Sequence, residues 1–207
     1  MRPLRNHISE SSLIMMGVPK KFCDKTLDDF KEYEDVIEVK RFVETYIDNI
    51  EENLDNGRGI FFCGSNGVGK SFLSCIILKE AYRHRYSCRR VTFSSYINAY
   101  TESWNTRDKS EKDVLESELH EKYKGVEFLV LEEIGKEIDS KIAKPILEDL
   151  LRYREEHGLS TVICCNLDLP DFRKYYEDSI CSLVSGSQTI IKIVAKDRRK
   201  EVFNGEL

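Results

Sequence analysis

No stretch of this 207-residue chain is apolar for long enough to cross a bilayer, so no membrane association is expected. Prolines number only four, and no Gly/Ser-rich or other low-complexity run marks a linker. The opening Met1-Arg2-Pro3-Leu4-Arg5-Asn6-His7 is not followed by the apolar core of a secretory signal. Seven cysteines are present, yet none form a Cys-x-x-Cys pair or a Cys/His cluster at zinc spacing. They read as small buried hydrophobes in a reducing compartment, and a cytoplasmic protein is the expectation. A formal net charge of -5 argues against a surface coated in positive charge. It leaves room for a local basic strip, and Lys192, Lys196, Arg198, Arg199 and Lys200 form one candidate. Such a cluster reads either as a phosphate-meeting strip or as solvated surface.

What is present suits one α/β domain with a full core. Residues 1–33 show weak periodicity and are assigned to an N-terminal extension, a candidate partner-docking segment in which Leu13, Ile14, Met15 and Met16 form a short apolar plug. Residues 34–207 make up the domain. Val36, Val39, Phe42, Val43, Tyr46, Ile47, Ile50 and Leu54 recur at spacings of three and four, one face of an amphipathic helix that Asn56-Gly57 ends. Short β-favouring runs follow at 59–63, 90–94, 127–131 and 161–165, with a fifth at 189–194. Helical patterns fill the gaps: Phe72, Leu73, Ile76, Ile77 and Ala81 after the first run, and Ile142, Ile146, Leu147, Leu150 and Leu151 before the fourth. This alternation predicts a three-layer α/β fold, a parallel sheet covered on both faces. The charged stretch 105–124 reads as a surface helix. Tyr96, Tyr100 and Trp104 stand four apart, either as a core stripe or as a stacking platform for nucleic-acid bases.

Gly64-Ser65-Asn66-Gly67-Val68-Gly69-Lys70-Ser71 satisfies the P-loop pattern G-x-x-x-x-G-K-S/T in full, between the apolar run 60–63 and a helical pattern opened by Phe72. Glycines let such a loop curl its N–H groups inward around phosphates, and the helix N-terminus adds its positive dipole end. ATP with Mg²⁺ is therefore the expected ligand. Residues 64–72, Phe72 included, are assigned to the nucleotide, with Lys70 on the β- and γ-phosphate oxygens and Ser71 on the metal.

A P-loop enzyme needs an acidic group at the end of a nearby strand to organise that metal's shell, and 128–133 is an apolar strand closing on two carboxylates. Glu132 is assigned to the Mg²⁺ shell and Glu133 to the base that activates water. The run 161–165 ends in Asn166, which reads either as a turn residue or, given the order P-loop, Glu-Glu, Asn, as the group orienting that water.

This order resembles the AAA+ ATPases, and more narrowly their helicase-loader and transposition-helper group of DnaC, DnaI and IstB. Three local matches carry the narrowing. Met16-Gly17-Val18-Pro19-Lys20-Lys21-Phe22 with Thr26-Leu27-Asp28-Asp29-Phe30 is similar to the segment that precedes the group's ATPase core. Leu129-Val130-Leu131-Glu132-Glu133-Ile134-Gly135 is similar to its Walker B strand, and Val162-Ile163-Cys164-Cys165-Asn166-Leu167 to its sensor-1 strand. The resemblance implies a P-loop NTPase of the ASCE/AAA+ type with a five-stranded parallel sheet and a reduced or absent lid. It also implies an ATP-controlled partner of a hexameric replicative DNA helicase, contact with single-stranded DNA, and self-assembly side by side.

Departures from the group carry equal weight. Glu132 stands where Asp is usual, one methylene longer, which predicts weakened Mg²⁺ coordination and turnover. Ser182 stands where the group carries an Arg finger, which predicts slow hydrolysis or dependence on another Arg, with Arg173, Arg198 and Arg199 as candidates. Two other readings remain open at this point: an IstB-like transposition helper, and a nucleotide-dependent adaptor without significant catalysis.

Overall fold

The computed structural model describes residues 2–30, 36–136 and 141–195. Two short helices come first, α1 (Glu10–Met15) and α2 (Lys20–Cys23), followed by α3 (Ile37–Asp48), α4 (Ile50–Asp55) and β1 (Gly59–Cys63). Next are α5 (Lys70–Arg83), β2 (Cys88–Thr92), α6 (Phe93–Asn105), α7 (Lys109–Leu119) and β3 (Phe128–Ile134). The chain continues through α8 (Ala143–Glu156), β4 (Ser160–Cys165), α9 (Leu169–Tyr175), α10 (Asp178–Ser187) and β5 (Gln188–Lys192). All five strands are parallel, in the order β2-β3-β4-β1-β5.

Strand alternation builds two cores. Ile60 and Phe62 of β1, Phe128 and Val130 of β3, and Val162 and Cys164 of β4 face one side, with residues of α3, α4, α5 and the N-terminal segment. Phe61 and Cys63, Leu129 and Leu131, and Ile163 and Cys165 face the other, with α6, α8, α9 and α10. Each fully buried Phe or Leu contributes about 1.5–3 kcal/mol through removal from water. The stretches 60–63, 128–131 and 162–165 of the central strands are apolar without interruption because both faces are covered.

Several boundaries differ from the sequence expectation. The single helix up to Asn56-Gly57 is two, broken at Asn49, whose side chain turns back to donate to the Thr45 carbonyl at 2.8 Å. The second strand is 88–92 rather than 90–94: Thr92 caps α6 by accepting from the Ser95 N–H at 3.2 Å, so Phe93 and Ser94 are already helical. The third runs to Ile134, past both carboxylates, and the fifth ends at Lys192. Stretch 105–124 holds the exposed α7 and a π-helical turn, His120–Lys124. The aromatic stripe passes from core to solvent: Tyr96 is buried against Tyr123, Tyr100 half-buried, and Trp104 64% exposed. Of the apolar plug, Leu13 and Met16 join the first core while Ile14 and Met15 face solvent. Lys196, Arg198, Arg199 and Lys200, and any lid after β5, lie outside the described residues, whereas Lys192 is exposed.

Candidate functional site

β1 delivers the chain into residues 64–69, and α5 begins at Lys70 with Gly69 as its N-cap. Gly69 sits at φ +107°, and a Cβ there would come within 2.7 Å of the Phe30 ring, so the turn requires glycine. Phe30, from the N-terminal segment, stacks on Phe72 at 5.8 Å, and Phe22 meets Phe72 edge-on at 5.5 Å. Residues 22 and 30 thereby brace the first turn of α5. Ser65 and Asn66 are exposed, Gly67 and Ser71 half-buried, and Gly64 and Val68 buried.

Lys70 is buried, and its ammonium donates to the carbonyls of Gly64 at 2.6 Å and Ser65 at 2.8 Å. Burial holds its pKa below the usual lysine range, partly offset by nearby thiols and Glu132. The ammonium is thus curled against its own loop, in place to exchange carbonyl partners for anionic ones.

β3 is separated from β1 by β4, and its end comes level with α5. Glu132 is 1% exposed. Its carboxylate accepts from Ser71 Oγ at 2.6 Å, Ser74 Oγ at 2.8 Å and Arg90 Nε at 3.3 Å. A Ser71 hydroxyl that donates its hydrogen bond to Glu132 keeps its oxygen lone pairs for a cation, and the pair forms a hard oxygen donor set of the kind Mg²⁺ prefers. The residues present therefore fit that ion. The sequence reading missed Ser74 and Arg90. Ser74 lies one helical turn beyond Ser71, and Arg90 is a charged residue within a strand run, so each carried a faint signal.

Glu133 sits in the left-handed region at φ +66°, inside a register shift of β3 against β4 between Leu131 and Ile134. This irregularity turns Glu133 away from the core, half-buried, where its carboxylate pairs with the Lys136 ammonium at 2.7 Å. Left-handed backbone at a non-glycine residue is a local strain concentrated at functional sites. Asn166 follows β4 and donates its main-chain N–H to the Ile134 carbonyl at 3.1 Å, which ties it to the end of β3. Its side-chain amide makes no hydrogen bond among the described residues. The fold thus brings Lys70, Ser71, Glu132, Glu133 and Asn166 to one end of the sheet, outside the C-terminal ends of the strands. Ser182 is exposed on α10, and Arg173 is exposed on α9.

Comparison with known proteins gives a consistent result. A family model described as IstB-like ATP binding protein matches residues 18–184. The replicative helicase loader DnaC of Escherichia coli K12 is 25% identical over 125 residues, covering 60% of this chain and 49% of that protein. The chain spans about half the length of the curated relatives it matches. Among solved structures, the DnaC helicase loader superposes with a TM-score of 0.70 at 20% identity, over 85% of this chain and 100% of that one. The replication initiator DnaA bound to AMPPCP and single-stranded DNA gives 0.68 at 18% identity, over 92% and 57%. These likenesses and the strand order make the fold that of the AAA+ P-loop proteins.

Proposed function

The chain belongs to the IstB-like ATP binding protein family, and we propose that it binds ATP with Mg²⁺ and uses the nucleotide to control assembly on a hexameric replicative DNA helicase in the cytoplasm. The observation that carries the nucleotide reading is the 2.6 Å bond from Ser71 to Glu132 beside a complete P-loop. The helicase reading rests on the curated relatives, which are named as loaders of one.

In this proposal residues 64–69 wrap the phosphates with main-chain N–H groups, and Lys70 trades the Gly64 and Ser65 carbonyls for β- and γ-phosphate oxygens. Ser71 and Glu132 would hold Mg²⁺. The ion, when bound, screens charge on the phosphate oxygens. Glu133 releases Lys136 and takes a proton from water, while the free amide of Asn166 orients that water. Hydrolysis is slow, because Ser182 offers no guanidinium to a neighbouring copy's phosphate. Self-assembly and contact with single-stranded DNA belong to the same proposal, the latter supported by the DnaA likeness and by the exposed Trp104.

The test is co-sedimentation with a purified hexameric replicative helicase, comparing wild type with Lys70→Ala, with and without Mg-ATP. Retention that needs both ATP and Lys70 supports the proposal. Equal retention of the two proteins, or none, overturns it. A second reading, a transposition helper, follows from the resemblance to the IstB group, whose ATP binding model matches residues 18–184. ATP-dependent filaments on duplex DNA, without helicase binding, would select that reading instead.

A further inference from the structure

Arg90 stands on β2, the outer strand of the sheet, and meets the chain's own N-terminal segment. Its main-chain N–H donates to the Met16 carbonyl at 2.8 Å. Gly17, at φ +93°, lies so close that a Cβ there would fall 2.3 Å from the Arg90 carbonyl oxygen. Met16 and Val18 on either side are buried in the first core. Residues 16–18 therefore cover the free edge of β2 at Arg90 through a contact that only glycine permits.

The Arg90 side chain holds two partners at once. Nη1 donates to the Gly17 carbonyl at 3.0 Å, and Nε donates to Glu132 Oε1 at 3.3 Å. Among the described residues, Arg90 supplies the one cation within ion-pair distance of Glu132. A carboxylate this buried needs a counter-charge. Mg²⁺ held by Ser71 and Glu132 would bring a competing positive charge to that carboxylate. A guanidinium is a rigid fork, so a shift at its Glu132 prong moves the prong on Gly17 as well.

The geometry points to Arg90 as a positioning residue that holds Glu132 in place for the metal and transmits the arrival of Mg²⁺ to residues 16–18 through the Gly17 carbonyl. This inference rests on the Mg-nucleotide reading above. It gives the site an output: the edge of the sheet that residues 16–18 cover responds to what is bound at residues 64–71, without any partner protein.

Amide hydrogen exchange on the full chain tests it. A non-hydrolysable ATP analogue is held at equal occupancy, set by calorimetry, in wild type, Arg90→Met and Arg90→Lys, each with Mg²⁺ and with EDTA. In wild type, Mg²⁺ is expected to change exchange at the amides of residues 16–18. The change is lost in Arg90→Met and partly returns in Arg90→Lys. A role in folding alone would lower the melting temperature of both variants without removing the Mg²⁺-dependent difference. Should Arg90→Met fail to fold, Arg90→Lys decides, and a full wild-type response there overturns the inference. It is also overturned if the response persists in Arg90→Met, or if nucleotide-bound wild type shows none. A wild type that binds no analogue removes the nucleotide reading itself, a distinct failure seen in the calorimetry.

Discussion

Ser71 on the first turn of α5 donates a hydrogen bond from its hydroxyl to Glu132 at the end of β3 across 2.6 Å, although the two are 61 residues apart. Ser74, one turn further along the helix, donates to the other carboxylate oxygen at 2.8 Å. One carboxylate thus serves two serines, at the reach that the Glu132 side chain gives it.

Glu132→Asp restores the group's usual residue but withdraws the carboxylate by one methylene, so it cannot satisfy Ser71 and Ser74 together. Weaker Mg²⁺-dependent nucleotide binding is expected, by about tenfold, the loss of roughly one hydrogen bond to a charged group. Calorimetry across a Mg²⁺ series checks it. Equal or tighter binding by the Asp variant would show that both serine contacts are dispensable.

Glu133 is expected to serve turnover and not binding. Glu133→Gln keeps a neutral isostere that cannot accept a proton, and should lower steady-state ATP hydrolysis by about 10²–10⁴-fold while nucleotide affinity stays near wild type. Phosphate release and a fluorescent-nucleotide titration measure the two sides. Undiminished hydrolysis would remove Glu133 from the role of base.

Arg154 carries the largest stability prediction. It is 1% exposed, and its guanidinium donates to Thr161 Oγ1 and to the carbonyls of Tyr123, Lys124, Val126 and Ser160. Burial pulls its pKa down to about 9, which leaves it charged at neutral pH. It fastens the end of α8 to β4 and to the turn before β3. Arg154→Met strands these buried carbonyls and should cost on the order of 3 kcal/mol, lowering Tm by about 6–12 °C. Thermal denaturation followed by circular dichroism decides, and an unchanged Tm would mean that water replaces every bond.

Thiol reactivity should separate the cysteines by depth. Cys63, Cys75, Cys88, Cys164 and Cys165 are buried, whereas Cys23 and Cys181 are partly accessible. Burial pushes the Cys75 thiol up to about 12 and raises Cys23 and Cys181 as well. Because the thiolate is the nucleophile, alkylation at pH 8 should be slow and should accelerate as pH rises. Mass spectrometry after iodoacetamide should find Cys23 and Cys181 modified first, and the other five only on unfolding. Early labelling of Cys63 or Cys165, at the strand ends beside the P-loop and Asn166, would reveal opening of the site.

The sequence by itself determined the phosphate loop and the class of fold. Residues 64–71 are contiguous, so their glycines, Lys70 and Ser71 act through local backbone geometry that a pattern can state. The apolar runs and helical spacings likewise report local conformation and burial, enough for a layered parallel sheet. Only the tertiary structure decided which side chains surround Glu132, because Ser74 and Arg90 reach it from elements 58 and 42 residues away in sequence. Strand order set the Arg90 contact: β2 lies beside β3 at the sheet edge, with residues 16–18 outside β2 at Arg90. The left-handed Glu133 and its pairing with Lys136 likewise depend on a register shift between β3 and β4. Spacing along one strand cannot express such a shift, since it exists only in the alignment of two.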